Sequence, residues 1–210
     1  MDQPITTPRL SLRPWRRADA PAATRIFGDP QVARWLAPAL PPVPDETEMT
    51  RTIVRWQAET GVPGEPVGHW AITSRGGDDV VGGVAVRDLG TGDGDYELAW
   101  QLAPAAWGRG YAAEAARALA VAVLDRSPVD ELLALVRPRN RRAAATARRL
   151  GMEWVGETDK FHRLRLQVYR LRRADLLPSL LKEAARSRVL RDGQLAVAHP
   201  EDLLPALRIP

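Results

Sequence analysis

The hexapeptide Trp107-Gly108-Arg109-Gly110-Tyr111-Ala112 is the most informative stretch of this sequence. It lies between an apolar segment typical of a β-strand, 95–102, and an alanine-rich segment with helical periodicity, 110–126. Two glycines separated by one residue at such a junction let the backbone come close to a ligand. The first turn of a helix adds unpaired N–H groups and the positive end of the helix dipole, which favour a phosphate. The hexapeptide therefore predicts a nucleotide-cofactor site.

Two other phosphate-binding motifs fit the sequence less well. A Walker loop ends in Gly-Lys-Ser or Gly-Lys-Thr, and neither triplet occurs. The Rossmann pattern G-x-G-x-x-A is satisfied by residues 108–113, but it expects an acidic residue after the following strand, where this chain has Arg137. Much of the chain also precedes the motif, whereas dinucleotide-binding folds usually place it on the first strand. The Walker and Rossmann interpretations of this stretch are therefore both disfavoured.

The composition is that of a globular protein, with 45% hydrophobic and 27% charged residues among 210. No apolar run approaches the roughly 18 to 20 residues of a membrane span, and no signal-peptide core is visible. The absence of cysteine excludes disulfides and a thiolate nucleophile, and three scattered histidines disfavour a metal site. We expect a cytoplasmic protein with no metal and no membrane partner.

The net charge of +4 comes almost entirely from arginine, since Lys160 and Lys182 are the only lysines. Arginine binds phosphates and carboxylates through two parallel hydrogen bonds, which suits a phosphorylated cofactor or an acidic partner. A GC-rich gene gives the same enrichment. No recognisable nucleic-acid motif accompanies the charge, so a nucleic-acid partner is not expected.

Hydrophobic periodicity and turn residues divide the chain into strands and helices. Strands are predicted at 5–15, 67–74, 79–87, 95–102, 132–136, 152–157 and 163–172. Helices are predicted from Asp19, as cap, to about Phe27, near Val32 to Leu36, from Asp45 to about Thr60, and at 110–126, 140–150 and 175–190, with a tail at 191–210. The continuous apolar run 132–136 predicts a strand that is covered on both faces.

The chain resembles the GNAT superfamily of acyl-CoA-dependent N-acyltransferases. The superfamily signature, Gln/Arg-x-x-Gly-x-Gly/Ala, lies on the hexapeptide, with Trp107 departing at the first position. The variant with tryptophan is similar to the RimJ/RimL-like branch, which is related to ribosomal-protein Nα-acetyltransferases. Other marks of that branch occur in order over roughly residues 5–172: Thr7-x-Arg9-Leu10-x-Leu12-Arg13-Pro14, Glu97-Leu98-Ala99-Trp100, Asn140 and Leu150-Gly151-Met152.

With the resemblance, we expect an α/β (α+β) fold: a mixed, mostly antiparallel sheet flanked by helices. One parallel βαβ crossover, formed by 95–102, 110–126 and 132–136, is expected to hold the cofactor. Residues 1–174 form the expected acyltransferase domain. Residues 175–210 are a C-terminal extension that lies outside the resemblance, and the sequence does not decide whether it is a homodimer arm, a lid or an edge cover.

The resemblance implies acetyl-CoA as the acyl donor. In the family, exposed backbone of the strand before the glycine loop pairs with the pantetheine arm, and N–H groups of the loop bind the pyrophosphate. Asn140 matches a position whose amide bonds the cofactor, and it also suits the N-cap of the next helix. The implied cofactor-binding residues are Trp100, Gln101, Leu102, Trp107, Gly108, Arg109, Gly110, Tyr111, Ala112, Ala113 and Asn140.

Attack of an amine on a thioester requires a group that accepts the amine proton. Glu97 occupies the strand position beside the thioester and is the candidate general base; a surface glutamate paired with an arginine is the alternative. Many relatives carry a tyrosine acid and a serine after the asparagine, where this chain has Ala147 and Ala143. A thiol has a pKa near ~8.5, so the leaving group needs little protonation at neutral pH.

The implied function is acetyl transfer to a primary amine, with a protein or peptide N-terminus ahead of small amines such as polyamines or aminoglycosides. A non-catalytic acyl-CoA-binding or ribosome-associated module is the alternative from another class. The acceptor is expected beside loop 37–48, across from Glu97. Candidate contacts are the carboxylates Asp45, Glu46, Glu48, Asp93 and Asp95 and the rings of Trp35, Trp56 and Trp70, although caps, turns and core packing also explain them; His69 and His162 are expected to be structural.

Overall fold

The protein is represented by a computed structural model that describes residues 4–36, 40, 43, 45–62, 65–92, 94–161 and 164–176. Contacts divide the chain into two compact units, 1–172 and 173–210. Residues 173–176, the described part of the second unit, are helical. The rest of the predicted helix 175–190 and the tail 191–210 lie outside the described residues, as does His162. The division into a domain at 1–174 and an extension stays a prediction.

The described residues contain eight strands. They are β1 (Ile5–Thr6), β2 (Leu10–Pro14), β3 (Gly68–Ser74), β4 (Val80–Asp88), β5 (Tyr96–Leu102), β6 (Glu131–Val136), β7 (Glu153–Thr158) and β8 (Leu166–Arg172). They form one sheet in the order β1-β2-β3-β4-β5-β6-β8-β7. Neighbouring strands are antiparallel except β5 and β6, which are parallel. The mixed, mostly antiparallel sheet with one parallel crossover is therefore confirmed.

Helices cover both faces of this sheet. They are α1 (Ala20–Phe27), α2 (Pro30–Ala33), α3 (Glu46–Glu59), α4 (Tyr111–Arg126) and α5 (Arg141–Leu150). A buried cluster joins α1 and α3 to Ala71 of β3, and its rings Trp15, Phe27 and Trp56 lie 5.4–6.0 Å apart between centroids. Strand side chains of the opposite parity, such as Leu98, are also buried, and α4 contacts β4 and β5. Because side chains alternate along a strand, α4 covers the other face.

The N-terminal segment differs from its prediction. The predicted strand 5–15 is two antiparallel strands, β1 and β2, joined by a turn in which the Thr7 N–H donates to the Leu10 carbonyl and the Leu10 N–H donates to Thr7 Oγ1, both at 2.9 Å. Asp19 precedes α1 but makes no capping bond there; it accepts two bonds from the buried Arg13 guanidinium, at 2.7 and 2.9 Å. Burial raises the pKa of Asp19, yet the bonds from Arg13 and from the Arg16 N–H outweigh burial and lower it overall.

Strand β6 also departs from its prediction. Leu132, Ala134 and Val136 are buried, but Leu133 and Leu135 are only half-buried. The run is therefore covered fully on one face and partly on the other.

Candidate active site

Strands β5 and β6 separate soon after they meet, and a cleft opens between them. Their only register pair among the described residues is Glu97 opposite Leu133, near the start of each strand. Beyond this pair, an open cleft of ≈ 700 Å³ extends along both strands. Its lining includes Glu97, Trp100 and Gln101 of β5, Val136 at the end of β6, and Arg137, Asn140 and Ala143 beyond it. The divergence leaves one edge of β5 without a β6 partner for much of its length.

The glycine loop lies between β5 and α4. A short 3-10 turn, Pro104–Ala106, separates the strand from the loop, and α4 begins at Tyr111. Gly108 and Gly110 have φ values of 76° and 78°, a region that L side chains rarely adopt. A Cβ added at Gly108 would meet no atom within 4 Å. The N–H groups of Tyr111 through Ala113 have no partner within the helix because they form its first turn. The predicted anion cradle therefore has the conformation that it requires.

Trp107 fastens this loop to the neighbouring strand. Its ring Nε1–H donates to the carbonyl of Leu102, at 2.9 Å, where β5 ends. The guanidinium of Arg142, on α5, lies 4.2 Å from the centre of the Trp107 ring. Two of the predicted cofactor residues, Trp107 and Leu102, are thus bonded to each other across the loop. Through this contact, the cationic side chain of Arg142 lies beside the glycine loop.

A second anchor comes from the N-terminal hairpin and was missed by sequence reasoning. The Glu114 carboxylate, in the first turn of α4, accepts from Thr7 Oγ1 at 2.6 Å and from Arg9 Nε at 2.7 Å. The same Arg9 side chain donates from Nη1 to the carbonyl of Arg109 at 2.9 Å, and it lies 4.9 Å from the centre of the Tyr111 ring. Arg9 therefore ties the glycine loop to the β1–β2 turn.

Asn140 stands where the cleft meets α5. Its Oδ1 accepts from the N–H of Ala143 at 3.1 Å, which makes it the N-cap of that helix. The capping bond uses the amide oxygen, so the NH₂ group remains as a donor. Ala143 also lines the cleft, whereas Ala147 is fully buried. None of the described residues that line this cleft carries a hydroxyl group.

Glu97 and Arg87 face each other across β4 and β5. They are register partners, and Arg87 Nη1 lies 3.7 Å from Glu97 Oε2. Glu97 is 8% exposed as a residue, and the Arg87 side chain is 21% exposed. Both line the cleft between β5 and β6. The candidate base is therefore a buried carboxylate in the cleft, and it also forms an ion pair with an arginine, as in the alternative reading.

A second cavity, of ≈ 1040 Å³ including its open mouth, adjoins the cleft at Arg87 and Gln101, which line both. Its walls include Trp15, Phe27 and Trp56. His69 also lines it and stacks on the Trp56 ring at 4.9 Å. Burial and the nearby charge of Arg87 lower the pKa of His69 to about 3. His69 Nε2 lies 3.2 Å from Glu59 Oε2, and the stacked ring forms part of the wall of the cavity.

Three of the carboxylates predicted to attract the acceptor take part in local structure. Asp45 caps α3 by accepting from the Glu48 N–H at 2.9 Å, and Glu48 pairs with Arg51. Asp95 accepts from Thr91 at 3.1 Å. Glu46 lies in the first turn of α3, and Asp93 is outside the described residues.

The three tryptophans considered for an apolar wall have different positions. Trp35 lines the cleft and Trp56 lines the second cavity. Trp70 is 2% exposed and belongs to the core. Among the described residues, no group of three or more His, Cys, Asp or Glu side chains could hold a metal ion. No described helix is long and apolar enough to cross a bilayer.

Residues 9–153 match the family model described as the "Acetyltransferase (GNAT) domain". The matched segment includes the cleft strands, Glu97, the glycine loop and Asn140. It begins at Arg9, the residue that anchors the loop.

Solved structures of acetyltransferases share the fold. The acetyltransferase from Agrobacterium tumefaciens str. C58 is 27% identical, with a TM-score of 0.67 over 81% of this chain and 95% of that chain. A GNAT-family acetyltransferase from Bacillus anthracis is 20% identical, with a TM-score of 0.66 over 80% and 96% of the two chains. A "putative ribosomal-protein-serine acetyltransferase" from Vibrio cholerae is also 20% identical, with a TM-score of 0.65 over 81% and 98%.

Proposed function

Since the chain belongs to the GNAT acetyltransferase family and is an acetyl-CoA-dependent N-acetyltransferase, we propose that its acceptor is the α-amine of a protein or peptide N-terminus. The observation that carries this proposal is the buried Glu97 carboxylate in the cleft, paired with Arg87 at 3.7 Å. A carboxylate is by its ordinary chemistry a modest base. Neutralising an α-amine at pH 7 costs about 1.4 kcal/mol, against about 4.6 kcal/mol for lysine. A modest base therefore suits the α-amine.

The residues of the cleft fit acetyl-CoA. The positive φ of Gly108 and Gly110 and the open space above Gly108 leave room for a phosphate at the start of α4. The free edge of β5 offers backbone groups to an extended amide-containing chain. Residues 108–113 would hold the pyrophosphate, and the backbone of Trp100 and Gln101 would hold the pantetheine arm. When bound, acetyl-CoA supplies an acetyl thioester.

The protein side chains then have separate tasks. Glu97 accepts the proton of the attacking amine, directly or through water. Backbone N–H groups at the free edge of β5 are the donors available to a developing oxyanion. The thiolate leaves without a side-chain acid, because its pKa of ~8.5 is close to neutral pH. The alanines at positions 143 and 147 are therefore compatible with turnover.

A small amine is the second candidate acceptor. The cavity beside Arg87 is walled by Trp15, Phe27 and Trp56, which would suit the apolar part of a compact molecule. The Vibrio cholerae protein, named for a ribosomal-protein serine, supports the N-terminal candidate and the RimJ/RimL-like branch by likeness of fold.

Acetyl-CoA consumption should be measured with peptide N-termini, lysine side chains in N-blocked peptides, polyamines and aminoglycosides. We expect α-amine peptides to be the best acceptors. We also expect Glu97→Gln to lower kcat/KM about a hundredfold near pH 7 while the Kd for acetyl-CoA changes little. The control Glu153→Gln removes another strand carboxylate that pairs with an arginine, on the edge strand β7, and should behave as wild type.

Three outcomes would contradict the proposal. Consumption only with polyamines or aminoglycosides would favour the second candidate. Binding of acetyl-CoA without turnover on any amine would indicate a non-catalytic module. An unchanged rate of Glu97→Gln up to pH 8 would remove Glu97 as the base.

A further inference from the structure

Arg87 occupies a position that the acetyl-transfer chemistry does not require. It lies on β4 directly opposite Glu97, and it lines both the cleft and the second cavity. A cationic residue at this place repels a protonated amine. Acetyl transfer alone therefore does not explain why an arginine lies where the two cavities adjoin.

The hydrogen-bonding capacity of Arg87 is largely unused. Its contact with Glu97 is a 3.7 Å ion pair, longer than a hydrogen bond. Its Nε is buried and has no hydrogen-bond partner among the described residues. A guanidinium presents five N–H donors in a planar fork that matches a carboxylate with two parallel bonds. The Arg87 side chain is 21% exposed and lines both cavities, so its terminal nitrogens are the donors that an anionic group of a ligand can reach.

The other charged groups of the second cavity have partners of their own. Arg55 donates from Nη2 to Thr52 at 3.1 Å. The Glu59 carboxylate lies 3.2 Å from His69 Nε2, and Asp88 Oδ1 accepts from the Gly90 N–H at 2.7 Å. His69 carries no positive charge near neutral pH, because its pKa is lowered to about 3. Arg55 is exposed on α3, so Arg87 is the more buried of the two described arginines that line this cavity.

We propose that Arg87 binds a carboxylate of the acceptor, so that the preferred acceptor is an α-amine with a carboxylate a few bonds away. This inference rests on the proposed function. The spacing supports it: the Arg87 and Glu97 side chains are 3.7 Å apart, so an amine at Glu97 and an anion at Arg87 must be close neighbours in one molecule. Two sources have this chemistry, a peptide that begins with Asp or Glu and a free amino acid.

The test compares acceptors that differ only in the carboxylate. Acetyl-CoA consumption is measured with a peptide that begins with Asp and the same peptide beginning with Asn, and with free glycine and glycinamide. The wild-type protein should favour the carboxylate member of at least one pair about tenfold or more in kcat/KM. The pair that responds identifies the source.

Arg87→Gln should abolish this preference mainly by raising KM for the carboxylate acceptor. The control Arg170→Gln removes another strand arginine with carboxylate partners, on β8, and should keep the preference. Arg87→Lys retains a charge near Glu97 but lacks the planar fork of the guanidinium, so it should keep only part of the preference. This variant also tests the proposal if Arg87→Gln does not fold. Retained stabilisation by acetyl-CoA reports that each variant is folded.

Equal kcat/KM within both pairs would overturn the inference while leaving acetyl transfer to α-amines intact. A preference that survives in Arg87→Gln would overturn the assignment to Arg87. Lack of turnover with every amine would overturn both this inference and the proposed function.

Discussion

His69 illustrates how neighbouring groups decide the charge of a single residue. Its imidazole is stacked on Trp56 and buried beside Arg87, and these surroundings favour the neutral ring although its Nε2 lies 3.2 Å from a Glu59 carboxylate oxygen. The same arginine pairs with Glu97 on the neighbouring strand. Arg87 is therefore adjacent to two ionisable residues that line the cavities.

The lowered pKa of His69 predicts a pH dependence of stability. The pKa is about 3 in the folded protein and near 6.5 when the chain is unfolded, so between these values the unfolded chain binds a proton that the folded chain does not. The free energy of unfolding should therefore fall as pH falls from about 6.5, by up to about 1.4 kcal/mol per pH unit.

Urea unfolding of the wild type and of His69→Gln, from pH 4 to pH 7, tests this dependence. Carboxylates contribute equally to both proteins, so the difference between the two slopes isolates His69. The slope should be smaller in His69→Gln. Parallel pH profiles would contradict the lowered pKa.

The sequence predicts the role of a residue when that role depends on residues close to it in the chain. Gly108 and Gly110 were predicted to let the backbone come close to a ligand where a strand passes into a helix, and both have positive φ. Asn140 was predicted as a cap, and it caps α5. Arg87 could not be predicted, because its partner in the sheet is defined by the register of β4 and β5. The two cavities that Arg87 lines depend on how α1 and α3 pack against the sheet.

At the scale of elements, the glycine cradle depends on the anchoring of α4. Its start is held by Arg9, which donates to Glu114 at 2.7 Å and to the Arg109 carbonyl at 2.9 Å. Charge-assisted bonds of this kind stabilise a fixed backbone geometry. In the proposed site the pyrophosphate is bound by backbone N–H groups, so its affinity depends on that geometry.

Removing the anchor should weaken cofactor binding more than chemistry. We expect Arg9→Ala to raise KM for acetyl-CoA about tenfold, because bonds to charged groups contribute about 1.5–3 kcal/mol, while kcat changes less. Steady-state kinetics with a saturating acceptor measure both values. The control Arg51→Ala removes an exposed ion pair on α3. An unchanged KM in Arg9→Ala would contradict the anchoring role.

The elements were predicted well where periodicity or caps are local. The helix from Asp45 was predicted to Thr60 and is Glu46–Glu59, with Asp45 as its cap. The hairpin of β1 and β2 was missed although Pro8 lies at its bend, because the alternation of apolar and polar residues around Leu10 and Leu12 indicated one strand over 5–15. Divergence of β5 from β6 leaves no mark in the sequence, because it depends on the packing of both faces.

At the scale of the whole molecule, one sheet positions two sets of residues around the cleft between β5 and β6. The cradle and Asn140 follow β5 and β6 in the chain, and Glu97 and Arg87 lie on strands β5 and β4. The crossover through α4 joins the two sets, since the strand that carries Glu97 also leads to the glycine loop. Acetyl-CoA held by the loop and β5 would therefore present its thioester beside Glu97.

The most direct test of this account is titration of acetyl-CoA by calorimetry into the wild type, Gly108→Ala and Gly76→Ala. Both glycines have φ near +80° with open space around an added Cβ, but Gly76 lies in the remote β3–β4 turn. Each substitution should cost about 1–2 kcal/mol of stability. Only Gly108→Ala should weaken binding, by about tenfold or more, because its methyl group occupies the space for the phosphate. Equal affinity in Gly108→Ala and Gly76→Ala, or no saturable binding by the wild type, would contradict the account.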